Sequence, residues 1–272
     1  MKVTHPILFV GAGPGDPELI TVKGQKALRQ ADVVVYAGSL VNPALLQLCP
    51  EGCELHDSAP LTLEQTHALL VAGARAGKRV VRLHTGDPAL YGAIQEQMER
   101  LDAEGLDYAV IPGVTAAFAA AASLKQELTL PEVSQTLVLT RAEGRTPVPA
   151  PERLSRLAAN GGTLCLYLSV TMMARVVDEL LAGGVFTPET PVAVVYRASW
   201  PDERIVTGTL ADIAGKVEAA GIRRQALILV GEALGARQRG VEKKSKLYDA
   251  GFAHGYRNLK TDHEGTKDTK GG

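Results

Sequence analysis

The chain has 272 residues, 46% hydrophobic, 22% charged and only 4% aromatic, enough for one large or two medium globular domains with cores of Ala, Val, Leu and Gly. Net charge is −1, but residues 236–272 hold nine Lys/Arg and five Asp/Glu, which leaves 20 and 25 in residues 1–235, a net of −5. An acidic body is a poor electrostatic match for nucleic acid, no run approaches the ~18 apolar residues of a membrane span, and the four apolar residues after Pro6 are too few for a secretory signal, so a soluble cytoplasmic protein is expected.

In chain order, apolar runs of strand length fall at 7–10, 33–36, 80–84, 108–111, 136–140, 164–168, 192–196, 205–207 and 227–230. Helical periodicity fills most gaps, at 21–31, 63–76, 89–104, 115–124, 151–159, 171–182 and 210–219. The alternation predicts an α/β protein with a largely parallel first sheet. Trp200-Pro201-Asp202 separates two strand-like runs as a turn would, so a hairpin and a mixed second sheet are expected. Pro131 breaks the chain near its middle. Two halves of similar size follow, about 1–130 and 135–235. Residues 236–272 have too few aliphatic residues to offset their ordering entropy, and a disordered polar tail is expected there.

Three cysteines, Cys49, Cys53 and Cys165, make no disulfide framework and no zinc pattern. The six histidines show no ligand spacing, so no metal is expected. Neither a nucleophile elbow nor a Walker A loop is present.

Four strand-loop motifs remain. Gly11-Ala12-Gly13-Pro14-Gly15-Asp16-Pro17 follows the first strand. A dinucleotide fingerprint would need glycine where Asp16 stands, and no acid closes the second strand. A tight turn, or a loop that lets backbone approach a ligand, both fit the glycines. His84-Thr85-Gly86-Asp87-Pro88-Ala89-Leu90-Tyr91-Gly92 follows a second strand, with Asp87 and Pro88 at the cap and first position of a helix. Ile111-Pro112-Gly113-Val114-Thr115-Ala116-Ala117 opens an alanine-rich helix, and Thr115 suits either a cap or a ligand contact. Thr140-Arg141-Ala142-Glu143-Gly144-Arg145 places two arginines four apart in a loop, which suits carboxylate recognition and equally suits solvated loop charges with Glu143 neutralising one of them.

Together these motifs, from Ile7 to about Leu234, resemble the tetrapyrrole methyltransferase family of precorrin methylases and uroporphyrinogen-III methyltransferases; residues 79–98, 135–149 and 194–203 are similar to its precorrin branch. The resemblance implies a homodimer of two α/β domains that binds S-adenosylmethionine in the cleft between them and methylates a tetrapyrrole carbon. Carried over position by position, it implies donor contacts at Pro14, Thr85, Gly86, Asp87, Leu90, Thr115, Ala116, Leu168, Ala198 and Ala226. It implies a substrate face at Arg141, Arg145 and Tyr91, with Arg197 as a further carboxylate partner. Asp16, Asp87 and Tyr91 are the candidates for a catalytic role, the two acids as loop organisers or electrostatic aids rather than bases.

Overall fold

A computed structural model describes residues 5–240, 251–253 and 255. The first sheet contains β1 (Ile7–Gly11), β2 (Val33–Tyr36), β3 (Glu54–Asp57), β4 (Val80–His84) and β5 (Tyr108–Ile111), in the order β3-β2-β4-β1-β5. All four pairings are parallel. The second sheet contains β6 (Leu137–Arg141), β7 (Thr163–Tyr167), β8 (Pro191–Tyr196), β9 (Arg204–Thr209) and β10 (Ala226–Val230), in the order β6-β7-β10-β8-β9. Only β6 and β7 pair in parallel, and β8 and β9 form the expected hairpin. The fold is α/β with one parallel and one mixed sheet.

Alternation along the strands sorts side chains between two layers. Val10, Val34, Val81 and Leu83 face α1 (Val22–Arg29), while Ile7, Phe9, Val33, Val35 and Val80 face α2 (Leu63–Arg75) and α3 (Gln95–Ala103). Local chemistry starts these helices. Thr21 Oγ1 accepts from Gly24 N–H ahead of α1. Thr62 and Gln65 satisfy each other's backbone N–H groups at the start of α2, a capping box.

In the second sheet, Leu164, Leu166, Val192, Val194, Ile228 and Val230 meet α5 (Leu154–Ala158), α6 (Met173–Ala182) and α7 (Ile213–Ala219). The opposite face, with Cys165, Val195, Leu227 and Leu229, meets α4 (Ala116–Ser123). That helix precedes the expected break at 130, yet its alanines 117, 119, 120 and 121 are buried on the second sheet. Alanine permits this close approach because it brings almost no side chain to accommodate. Burial also accounts for Cys165, whose thiol is pushed up to about 12. Cys49, Cys53 and Cys165 are all free.

Three expectations need correction. The helix predicted at 89–104 begins only at Gln95. Tyr91 and Ala93 have φ of 55° and 48°, and a Cβ on Gly92 would collide with the Pro88 carbonyl, so residues 88–94 form a tight coil. Strand β3 was absent from the predicted set because Leu55 is its one aliphatic residue. The polar tail expected from 236 starts with helix, since α8 (Ala233–Arg239) runs through its first residues. The rest of that tail lies almost wholly outside the described residues.

β4 carries two buried polar groups. Arg82 has no carboxylate partner among the described residues and donates to Val35 O and Gln97 Oε1, both at 3.2 Å. Gln97 Nε2 in turn donates to Ala93 O, which ties the coil to the strand. His84 stacks on Phe9 with ring centroids 6.0 Å apart, and its Nε2 has no hydrogen-bond partner among the described residues. Burial first, and the nearby Arg82 charge second, push its pKa down to about 3. A neutral imidazole in the fold and a protonatable one in the unfolded chain make stability fall as pH drops from about 6.5 toward 3. Urea unfolding at stepped pH should show His84→Phe losing less stability over that window than the parent, by at most about 1.4 kcal/mol per pH unit. Equal pH slopes would mean that His84 takes up its proton inside the fold.

Candidate functional site

The chain leaves β1 through α1 on one face of the first sheet and leaves β4 through α3 on the other. Adjacent parallel strands whose connections part in this way open a crevice at their carboxyl ends. Here the loops after β1, β4 and β5 converge on it. Gly13 and Gly86 bond to each other in both directions, at 3.2 and 2.8 Å. A Cβ on Gly11 would collide with Gly113 and with the Gly86 carbonyl, and one on Gly113 would collide with Gly86 O and Gly11. Gly11 and Gly113 are needed for this close backbone approach, whereas Gly13 and Gly86 are needed for their positive φ, 78° and 60°.

Asp87 locks this junction. Its Oδ1 accepts from Ala89 N–H at 2.8 Å and its Oδ2 from Gly113 N–H at 2.9 Å, so both carboxylate oxygens are occupied. Asp16 caps the short turn that follows, accepting from Glu18 N–H. Both acids therefore organise loops in this structure.

The second sheet closes the crevice. Trp200 fills the space beside Gly15, where any Cβ would strike the indole, and its Nε1 donates to Pro14 O at 3.0 Å. Asp16 N–H donates to Ser199 Oγ at 3.0 Å, and Asn42 Nδ2 to Gly15 O at 2.8 Å. Tyr167, at the end of β7, reaches the start of α4. Its hydroxyl lies 2.6 Å from Thr115 Oγ1 and accepts from Ala117 N–H at 3.0 Å. Thr115 thus occupies the cap position without capping with its own side chain. A tyrosine from the other sheet satisfies the helix end instead.

The result is a cleft of about 520 Å³, within the ordinary range for small-molecule sites. Pro14 lines it from the first loop, Thr85, Gly86, Asp87, Leu90 and Tyr91 from the second, and Thr115 and Ala116 from the third. Leu168, Ala198 and Ala226 line it from one end of the second sheet. All ten positions marked out for a donor share this cavity. Leu168 is 70% exposed at φ 54°, an unusual conformation for a branched side chain that turns it into the cleft.

The arginines are placed differently. Arg141 and Arg145 do not line the cleft. Arg141 donates to the carbonyls of Ala142, Thr146 and Pro147, bracing its own loop, with its charge near Tyr91. Arg197 does line it, but pairs with Asp202 at 2.6 Å and lies 3.9 Å over the Trp200 ring. Tyr91, its ring 5.5 Å from that of Tyr167, has a phenol pushed up by burial. Sequence reasoning missed Tyr167, Trp200, Arg223 and Arg224. The exposed arginines sit between a helix and a strand and carried no motif, while the two aromatics are placed by contacts across the two sheets.

The sequence pattern described as Tetrapyrrole (Corrin/Porphyrin) Methylases matches residues 6–214. The chain belongs to that family. It is 55% identical, over 94% of its length and 98% of the relative's, to a cobalt-precorrin-4 C(11)-methyltransferase of Methanocaldococcus jannaschii. It is 51% identical, over 92% and 98%, to a precorrin-4 C(11)-methyltransferase of Pseudomonas aeruginosa. Among solved structures it resembles cobalt precorrin-4 methyltransferase, CbiF, described as a cobalamin biosynthetic enzyme, with TM-score 0.82 and 51% identity over 84% of this chain and 95% of that one. It also resembles a Thermus thermophilus uroporphyrin-III C-methyltransferase complexed with S-adenosylhomocysteine, with TM-score 0.71 and 34% identity over 84% and 93%. This methylase thus shares its fold, and much of its sequence, with enzymes that methylate carbon.

Two substitutions test the architecture. Tyr167→Phe should cost about 1–2 kcal/mol in urea unfolding, because Ala117 N–H loses its acceptor. Gly113→Ala should lower the thermal midpoint by several degrees, since backbone stands in the way of the new methyl on two sides. An unchanged midpoint for Gly113→Ala would show that the three loops can separate at little cost.

Proposed function

We propose that this chain transfers a methyl group from S-adenosylmethionine to carbon 11 of precorrin-4, or of its cobalt form, during corrin ring assembly. The observation that carries the proposal is the convergence of ten separately placed residues on one cleft, in a chain at least 50% identical to precorrin-4 C(11)-methyltransferases over nearly its whole length.

The donor brings an activated methyl on a sulfonium, so the protein's task is to bind, align and exclude water. Pro14, Gly86 and Ala116 bring backbone against it, and Thr115, held by Tyr167, is fixed at the mouth of α4. Leu90, Leu168, Ala198 and Ala226 supply an apolar wall. Tyr91 faces the acceptor, with the Arg141 charge near it and outside the cavity lining. Holding two reactants in line can remove roughly 7–11 kcal/mol from a barrier. No general base is assigned, because the Asp87 oxygens and one Asp16 oxygen are already bonded to N–H groups. The proposal includes a homodimer acting in the cytoplasm, a compartment that suits three free thiols.

Calorimetric titration with S-adenosylhomocysteine is the direct test. One site per chain is expected, weakened about tenfold or more in Asp87→Ala, which frees Gly113 N–H and loosens the junction. No detectable heat or competition with the parent protein would overturn the donor assignment.

A further inference from the structure

The charges around the cleft do not balance. Four charged side chains line it: Asp87, Arg197, Arg223 and Arg224. Asp87 is consumed by two backbone N–H groups, and the Arg197 charge is paired with Asp202 and stacked on the Trp200 ring, although its buried Nε has no partner among the described residues. Arg223 and Arg224 make no ion pair or side-chain hydrogen bond among the described residues. They follow α7 on the rim of the second sheet and are exposed.

Their position is nonetheless fixed. The next residue, Gln225, sits at φ 50° and is held from two directions. Its carbonyl accepts from Arg197 N–H at 2.8 Å, and its side-chain Nε2 donates to Ser39 O, in the loop after β2, at 2.8 Å. Ala226 then enters β10. The rim is therefore pinned to both halves of the molecule, and two guanidinium groups stand unneutralised on it. Beside them the same cavity presents Leu40, 40% exposed, and Leu168. Apolar walls with a cationic edge suit a ligand that has a broad apolar body and several acidic groups at its periphery.

We propose that Arg223 and Arg224 form the carboxylate-recognition edge for the tetrapyrrole acceptor. This rests on the function proposed above and specifies which residues select the acceptor. The donor is a poor occupant for this edge. Its sulfonium and ammonium outweigh its one carboxylate, and two unpaired guanidinium groups repel a net cation. The acceptor is a polycarboxylate, and a protein body at −5 over residues 1–235 offers it no general attraction, so its acidic groups need local cations. Arginine's planar fork matches a carboxylate with two parallel hydrogen bonds, a geometry that a lysine lacks.

The test uses full-length protein and two probes, S-adenosylhomocysteine by calorimetry and uroporphyrin III, a stable polycarboxylate tetrapyrrole, by fluorescence anisotropy. R223Q/R224Q should weaken uroporphyrin binding about tenfold or more at low salt and flatten its salt dependence, while S-adenosylhomocysteine affinity stays within about twofold. Retained donor affinity also shows that the variant folds. R223K/R224K should recover the salt dependence but only part of the affinity. Unchanged uroporphyrin affinity in the glutamine variant, with the parent binding both probes, would overturn the rim assignment and leave the methyltransferase reading standing. Parallel loss of both probes would overturn it in favour of a donor or structural role. A parent protein that binds S-adenosylhomocysteine but not uroporphyrin would remove both the rim and the acceptor half of the proposed function.

Discussion

Gly11, at the end of β1, and Gly113, in the loop after β5, each lack a side chain where the other's backbone and the Gly86 carbonyl pass, and Gly86 itself turns at a positive φ of 60°. Backbone packed on backbone brings the carboxyl ends of β1, β4 and β5 closer together than any other residue would allow. What faces the cleft from the loops after β1, β4 and β5 depends on that proximity. Pro14 is two residues from the loop's hydrogen-bonded contact at Ala12, Thr85 and Asp87 flank Gly86, and Thr115 is two residues from Gly113. Asp87 reinforces the junction by holding Gly113 N–H directly, which explains a carboxylate placed where no base is needed.

The second sheet is not simply docked against the first. Helix α4 is shared, since it leaves the loop after β5 but buries its alanines on β7, β8 and β10. Tyr167 and Trp200 then reach back in the opposite direction, one to the start of α4 and the other to the first glycine loop. The cavity is bounded by contacts that run both ways across the seam. Its strained residues follow the same logic. Tyr91, Leu168, Arg197 and Gln225 all have positive φ and all line the cleft. Each such conformation costs of order 1–3 kcal/mol, which surrounding hydrogen bonds and packing must offset.

Much of this was legible in the residues. Strands rich in Val, Ile and Leu were readable because both faces of the parallel sheet are covered, as β2 and β4 show. Three of the four motif loops, those after β1, β4 and β5, marked the cleft because they occupy strand ends. Elements whose placement depends on distant partners were not readable. Glu54–Asp57 is a strand because β2 offers it a free edge, not because of its own composition. Residues 88–94 carry a sound helix-start signal at Asp87-Pro88, yet Arg82, through Gln97, holds the chain in a coil until Gln95. The arginines of the 141–145 loop looked like free cations, but Arg141 is engaged by carbonyls of its own loop. Which charges stay unpaired is a property of three-dimensional neighbours, so Arg223 and Arg224 carried no signal.

Trp200 has a further consequence. It is the chain's sole tryptophan, and its indole bridges the two sheets at the wall of the cleft, under a guanidinium and against a backbone carbonyl. Indole emission from this protein, excited at wavelengths its seven tyrosines do not absorb, therefore arises at one place, the seam that any rearrangement of the two halves must alter. A tetrapyrrole seated nearby absorbs in the near ultraviolet where indole emits. The molecule carries its own optical gauge, able to follow occupancy and opening without a label.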